Sequence, residues 1–501
     1  MLFRSLKLPV HIPHRPKKDP RELKILDPAC GSGHFLLYCF DLLLTIYEEA
    51  YTDPDLGPAL QKDYSKLEDL QRDMPRLILA HNLHGIDIDL RASQIAALAL
   101  WLRCQRAYQD MGLKKDRPKI TRSNFVCAEP MPGEESMLKE FVGQLEPKVL
   151  GQVVEVVFDK MKLAGEAGSL LKIEEEIRDA VAEAKKQWVR ETRQATDRKG
   201  QPLLFTQGAL DQLDGEPKQP ALFDFSDLSD AQFFDQAETR VIEALRSYAE
   251  KAQNGERLQR RLFTEDAVRG FAFVELCQKQ YDVVLMNPPF GEPVRSTSDY
   301  LQAQYPNSKH DLFAAFCDRC FQQLAPQGLL GELSSRVGFF LKSFAEWRRT
   351  LIYDHSLQVM VDLGAGVLDT AAVEACCYIV AQERTTKTII FRLLVDSDKA
   401  QSLSMAISDL NSKWIFFISS DHARDLPFQP LVYWVPRKTL HKLSQFDPLE
   451  PMGAVVRQGL GTGDNAQFIR AFWEVPAEKI AGFLCLTPQD VRNQLSGEYY
   501  K

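Results

Sequence analysis

Asp27-Pro-Ala-Cys-Gly-Ser-Gly33 lies between a short apolar run at 23–26 and a long apolar segment at 34–50. Strand, glycine turn, helix is the order in which an α/β chain builds a nucleotide-type cofactor site. Gly31 and Gly33 let the backbone approach a ligand closely, and the helix start offers unpaired N–H groups. Leu36 occupies the third position after Gly33, so this is not the Gly-x-Gly-x-x-Gly dinucleotide fingerprint. No Gly-Lys-Ser/Thr follows either, so the cofactor need not carry a phosphate. Asp27, at the strand end, fits two roles: contact with a cationic part of a cofactor, or a turn cap.

Outward from this turn the pattern repeats. A helix is predicted at 71–81 with Pro75 in its first turn, a strand at 83–88, a helix rich in Ala and Leu at 90–108 and a short strand at 124–127. Strands alternating with helices imply a doubly wound, mostly parallel sheet. The alternation stops between 131 and 275, which reads as a helical insertion: amphipathic and charged over 153–190, polar and loop-like over 194–229, helical again over 231–261. Strands resume at 281–286, 329–334, 357–363 and 375–381, with 388–395 extending the sheet. The expected organisation is a tail at 1–22, a cofactor half at 23–130, the insertion at 131–275, a catalytic half at 276–427 and a further unit over 428–501.

In Leu83-His-Gly-Ile-Asp-Ile-Asp89, Asp87 falls at the carboxyl end of its strand, where ligands of open α/β sheets bind. An acid there suits the two hydroxyls of a ribose. Asp89 suits the cap of the following helix. Ile88 fits either an adenine ring or ordinary core, and Asn124 either the edge of an adenine or a structural role.

Asn287-Pro-Pro-Phe290 follows the strand at 281–286. Two prolines cannot donate to a ladder, so the strand ends there. They hold the chain extended and turn the Asn287 side chain and the Pro288 carbonyl toward one point. Those oxygens can accept both hydrogens of a planar NH2 group, raising electron density on its nitrogen. Phe290 offers a flat face for a base, worth about 1–3 kcal/mol. Arg336, Lys342, Arg348 and Arg349 form a basic cluster that fits either phosphate contact or a solvated helix face, with Trp347 read as core.

The chain has 501 residues, 45% hydrophobic and 26% charged, with a net charge of −8. That composition supplies a large core and argues mildly against nucleic acid, or for a gripping surface that is local or absent. Ten cysteines without framework spacing suit reduced thiols in the cytoplasm. Cys317-x-x-Cys320 has no second pair, so no metal site is expected. No signal peptide is visible, and no apolar run is long enough to span a bilayer.

These residues together resemble the S-adenosylmethionine-dependent DNA adenine-N6 methyltransferases of the gamma group, in which the cofactor motif precedes the catalytic one. Asp27–Gly33 resembles their first cofactor motif, 85–89 their second and 123–125 their third. Asn287–Phe290 resembles their catalytic motif, and Lys309-His-Asp-Leu-Phe-Ala-Ala-Phe316 the helix that follows. The wording Asp27-Pro-Ala-Cys-Gly-Ser-Gly-His-Phe-Leu36 and Asn124-Phe-Val-Cys-Ala-Glu-Pro-Met-Pro132 is most similar to the large methyltransferases of BREX phage-exclusion systems, with single-chain restriction–modification enzymes as near relatives.

The resemblance implies S-adenosylmethionine as cofactor, held by Asp27, Ala29, Gly31, Gly33, Asp87, Ile88, Asn124 and Phe125. It implies catalysis by Asn287, Pro288, Pro289 and Phe290 on N6 of an adenine flipped from double-stranded DNA. Other defence-system subunits are candidate partners; no membrane is. Protein glutamine and RNA are alternative acceptors, and a non-catalytic scaffold is the alternative role. The family's upstream aromatic-Thr-Pro segment has no match among the 26 residues before Asp27. Gln458-Gly-Leu-Gly-Thr-Gly-Asp-Asn465 resembles the opening of a target-recognition domain, 36 residues before the end. A missing upstream region and a shortened recognition domain are therefore expected.

Overall fold

The computed structural model describes residues 16–120, 123–146, 148–194, 230–250, 257–368, 373–382, 387–394, 398–409, 412–419, 422, 424 and 426–446, with short strands at 469–471, 484–485 and 498–500. Contacts divide the chain into two compact units, Met1–Leu440 and His441–Lys501. In the second, Glu498–Tyr500 pairs antiparallel with both Ile469–Ala471 and Leu484–Cys485. The glycine-rich segment 458–465 lies outside the described residues.

The first unit is built on nine strands: β1 (Ile25–Asp27), β2 (Leu83–Asp87), β3 (Phe125–Cys127), β4 (Tyr281–Met286), β5 (Leu324–Ser335), β6 (Ser356–Gly364), β7 (Ala375–Ala381), β8 (Lys387–Arg392) and β9 (Ile415–Ser419). Their order is β3-β2-β1-β4-β5-β7-β6-β8-β9. β7 and β9 run against the others. This is the expected doubly wound, mostly parallel sheet. Its order reverses between β1 and β4, which pair in parallel with Leu26 opposite Val284. Such a switch point opens a crevice at the carboxyl ends of the strands.

Alternate residues of the short central strands serve opposite faces. Ile25 and Leu83 join the core beneath α1 (His34–Thr52) and α2 (Leu90–Asp110). Leu26 and Ile86 join a larger core on the other face, shared with the insertion helices and with α3 (Leu312–Gln323). The insertion is thus part of the second layer over the sheet. Its last helix, Arg257–Gln278, leads directly into β4.

Three local expectations change. Pro75 lies near the end of the helix Leu67–Leu77, not in its first turn. With no N–H at Pro75 the ladder is interrupted, and the chain continues as a π-helical turn, Ile78–Asn82. The amphipathic stretch at 153–190 is broken into short helical pieces between Val149–Lys160 and Arg178–Gln194. The sheet also gains an edge strand, β9, not read from the sequence.

Candidate active site

The turn after β1 is shaped by its glycines. Gly31 and Gly33 have φ of 51° and 83°, left-handed values that side chains strain to adopt. A Cβ on Gly33 would lie 3.1 Å from Ala96 Cβ of α2, whereas one on Gly31 would meet nothing within 4 Å. The turn is therefore tight against α2 and open on the crevice side. The Cys30 N–H donates to Ile86 O (2.9 Å), tying the turn to β2. Asp87 reinforces this tie: the Gly31 N–H donates to its Oδ2 (2.8 Å) and the Asp89 N–H to its Oδ1 (2.9 Å). Asp89 caps α2, as expected, accepting from Arg91 N–H.

Asp27 is 1% exposed. The Ala29 N–H donates to its Oδ1 at 3.2 Å, and among the described residues no cation pairs with it. Burial, helped by the nearby Asp87, pushes its carboxyl up to about 7. A buried acid without a cation, open space at Gly31 and the start of α1, where Gly33 supplies no side-chain cap, together fit a ligand carrying a cationic amino group. The amino-acid part of S-adenosylmethionine meets that description. Gly31, Gly33 and Ala29 would line it, with Asp87 left for the ribose.

Across the switch point, β4 ends at Met286. Asn287 is exposed, Pro288 buried, Pro289 exposed, and Phe290 half-buried against the large core. The β1–β4 pairing ends with Leu26 opposite Val284, so the glycine turn and the Asn287 loop leave the sheet at the same edge from adjoining strands. Gly291, at φ 115°, turns the chain. Its N–H donates to Asp311 Oδ1 (2.8 Å), and its carbonyl accepts from Leu312 N–H (2.9 Å). Asp311 also caps α3, accepting from Phe313 N–H (3.3 Å). One carboxylate thus pins the acceptor loop to the helix start.

Asp311→Ala should lower stability by about 0.5–2 kcal/mol through the lost cap and lower kcat without changing donor affinity. Asp311→Asn, which can still cap and accept, should restore most of both. Thermal unfolding and steady-state kinetics check this; a drop in stability with kcat intact would leave Asp311 only a helix cap.

Asn124 and Phe125 stand elsewhere. Asn124 immediately precedes β3 and Phe125 opens it, and the strand's carboxyl end at Cys127 is the one beside Asp87. Asn124 therefore lies at the opposite edge of the sheet from the crevice. It is 3% exposed, and its NH2 donates to Leu79 O (3.2 Å) and Ala80 O (3.0 Å). Phe125 packs against Gly85 and lines a separate cavity of about 300 Å³ with Leu79, Leu100 and Trp101. The backbone at the crevice end of β3 is Ala128, whose N–H donates to Asp87 O (2.7 Å). Ile88 is 54% exposed, beside Gly168.

The sequence reading missed the insertion's part in the site. Ser169 Oγ donates to Pro28 O in the cofactor turn (2.5 Å). Arg319 of α3, fully buried, donates to Ser169 O (2.9 Å) and forks onto Glu174 (2.6 and 2.9 Å). The insertion therefore links the cofactor turn to the helix behind the acceptor loop. One signal was available: Arg319 is the one cation of the largely apolar helix α3, and a buried charge must find a partner.

Within the basic cluster, Arg348 is buried and donates to the carbonyls of Gly338, Leu341, Phe428 and Gln429, so it is unavailable to phosphate. Arg336 pairs with Asp362 and Glu374 and Arg349 with Glu346, while Trp347 is core. Among the described residues no group of three or more His, Cys, Asp or Glu side chains is placed to hold a metal, and no helix is long and apolar enough to cross a membrane.

A glycine turn after β1 and an Asn-Pro-Pro-Phe loop after β4 thus stand on adjoining strands of a doubly wound, mostly parallel sheet. Comparison with known proteins gives the class. Over residues 81–367, more than half its length, the chain matches the Eco57I restriction-modification methylase family, and it belongs to that family. Residues 17–123 also match the MmeI DNA-methyltransferase domain.

Among curated proteins it is similar to the adenine-specific methyltransferase PglX of Lacticaseibacillus casei (strain Zhang), 25% identical over 503 residues, covering 97% of this chain and 34% of that protein. It is also similar to the adenine-specific methyltransferase BrxX of Escherichia coli O9:H4 (strain HS), 24% identical over 477 residues, covering 91% and 33%. The chain thus spans about a third of the length of the curated relatives it matches. Distant likenesses among solved structures include the restriction–modification enzyme MmeI in complex with DNA (14% identity, TM-score 0.35, covering 75% of this chain and 33% of that one). Another is the Type ISP enzyme LlaBIII bound to DNA (12%, TM-score 0.37, 79% and 19%).

Proposed function

We propose that this chain is the methyltransferase part of an enzyme that methylates N6 of adenine in double-stranded DNA, with S-adenosylmethionine as donor, in phage defence or restriction–modification. The observation that carries this reading is the parallel pairing of β1 with β4 at the switch point, Leu26 opposite Val284. It brings the turn at 27–33 and the loop at 287–290, far apart in sequence, to one edge of the sheet, which supports a donor side next to an acceptor side.

The donor supplies an electrophilic methyl group on a sulfonium. The protein's residues supply the geometry. The Asn287 side-chain oxygen and the Pro288 carbonyl accept the two hydrogens of the adenine NH2, leaving its lone pair aimed at the crevice. Phe290 stacks on the base, which has left the duplex to reach the loop. No general base is required, because the amino proton becomes acidic only once the nitrogen has gained its methyl group. Alignment and fixed acceptors carry most of the rate. The half-chains 23–130 and 276–427 divide this work into donor and acceptor sides. The free thiols of the nine described cysteines suit a cytoplasmic setting, and further subunits of a defence system are the proposed partners.

Asp27 makes the donor side pH-dependent. Its pKa of about 7 in the free protein lies above the ordinary 3.8. The ionised form pairs with the donor's amino group, so affinity should fall by about tenfold per unit as pH drops below 7. The linked effect on the free protein has the opposite sense. Between about 4 and 7 the native state holds a proton that the unfolded chain has released. Asp27's contribution to stability is complete below 3.8 and lost as pH rises through 7. Asp27→Asn should flatten both profiles; a pH-independent donor affinity in the unsubstituted chain would contradict the pairing.

The reading is tested by incubating the chain with labelled donor and, separately, DNA, RNA and a protein mixture. Label in DNA supports it. Label confined to RNA or protein moves the substrate, and absence of label in all three favours a scaffold.

A further inference from the structure

Beyond β5 the chain builds a surface that the methyl-transfer chemistry does not use. β5 runs parallel to β4 with Glu332 opposite Met286, so it continues three residues past the level of Met286 to Ser335. The segment 336–344 therefore leaves the sheet on the same edge as Asn287. The segment 426–434 packs against it: the Leu431 N–H donates to Phe339 O (2.9 Å), and Phe340 meets Trp434 with ring centroids 5.7 Å apart.

Two features make this surface unusual. Phe428 and Gln429 are consecutive non-glycine residues with φ of 60° and 48°, a conformation held only where the surroundings enforce it. The buried Arg348 enforces it, binding both of their carbonyls together with those of Gly338 and Leu341. The result is that Phe428 stands 49% exposed. Trp434 stands 39% exposed, its neighbour Tyr433 anchored by a hydrogen bond to the buried Asp362 (2.7 Å).

The second feature is charge. Lys342 Nζ lies 4.4 Å from the centre of the Phe428 ring, and the Arg392 guanidinium 5.6 Å from that of Trp434. Arg336, over Phe340, pairs with Asp362 and Glu374, which leaves Lys342 and Arg392 as the cations set against the two exposed rings. Exposed rings interleaved with cations match the bases and phosphates of an unpaired nucleic-acid strand.

We propose that the ledge formed by Trp434 and Phe428 with Arg392 and Lys342 binds a single strand of DNA, stacking its bases and pairing with its phosphates. The proposed function gives this a place in the reaction: the ledge holds nucleotides beside the extruded adenine. The binding itself is measured without methyl transfer. A labelled single-stranded oligodeoxynucleotide of about 20 residues is titrated with the full chain at several salt concentrations.

Trp434→Ala and Phe428→Ala should each weaken binding by about 5- to 150-fold. Lys342→Gln and Arg392→Gln should each reduce the slope of log affinity against log salt by about 0.7. Donor affinity and the unfolding midpoint should remain those of the unsubstituted chain, which separates the ledge from a folding defect. Affinity and salt slope unchanged within twofold in all four folded variants would overturn the proposal. A chain that binds DNA through the ledge yet transfers no methyl group would remove the proposed function and leave the ledge. Methyl transfer with unaltered ledge variants would do the reverse.

Discussion

Asn287→Ala is expected to lower methyl transfer to DNA by about a thousandfold or more while donor affinity stays within about twofold. Asn287 is exposed just after β4, and among the described residues its side chain makes no hydrogen bond. In the proposed function its amide oxygen is one of two acceptors that orient the substrate amino group. Loss of a preorganised partner at a reacting centre costs about 10²–10³ in kcat, and misorientation of the nitrogen adds to this. Donor contacts lie across the switch point on β1 and β2, so they survive. Equal loss of donor binding would show that Asn287 shapes the crevice as a whole. Transfer close to that of the unsubstituted chain would remove it from catalysis.

Asp87→Ala is expected to do the converse, raising the donor dissociation constant by about 100-fold or more. Asp87 accepts from Gly31 N–H and Asp89 N–H. A carboxylate retains further lone pairs for ribose hydroxyls. Removing it deletes charge-assisted hydrogen bonds worth about 1.5–3 kcal/mol each and frees the turn that carries Gly31. Equilibrium dialysis with labelled donor measures the effect, with DNA affinity as the control. An unchanged donor affinity would show that Asp87 only ties the turn to β2.

What the sequence made legible were features written in local chemistry. β4 and β7 were read to the residue, because β4 is ended by two prolines that cannot continue a ladder and β7 is an apolar run bounded by polar residues. The acceptor loop follows from two prolines, and the cap of α2 from Asp89. The doubly wound sheet followed from alternation alone. Less legible was whatever depends on which neighbour a side chain meets. Arg348 looked like a surface cation and is a buried clamp on two strained carbonyls. Asn124 lay close in sequence to the third strand's end but at its wrong edge, because β3 starts after it and runs away from it.

The insertion looked like an appendage, since nothing in its charged, amphipathic pattern shows that Ser169 reaches Pro28. Pro75 was misplaced because a proline fits the first turn of a helix locally, while packing here tolerated it near the end. The edge strand β9 was legible but passed over: Ile415-Phe-Phe-Ile418 is the β-branched and aromatic run of a strand, and it pairs with β8.

The most direct measurement is the identity of the methylated product. DNA lacking adenine methylation is incubated with the chain and S-adenosylmethionine, digested to nucleosides and analysed by mass spectrometry, with Asn287→Ala in parallel. Expected is N6-methyldeoxyadenosine that appears with the unsubstituted chain and falls to background with the variant. Methylation of another nucleoside, or no N6-methyldeoxyadenosine above the level of the variant, would contradict the assignment of this crevice to adenine methylation.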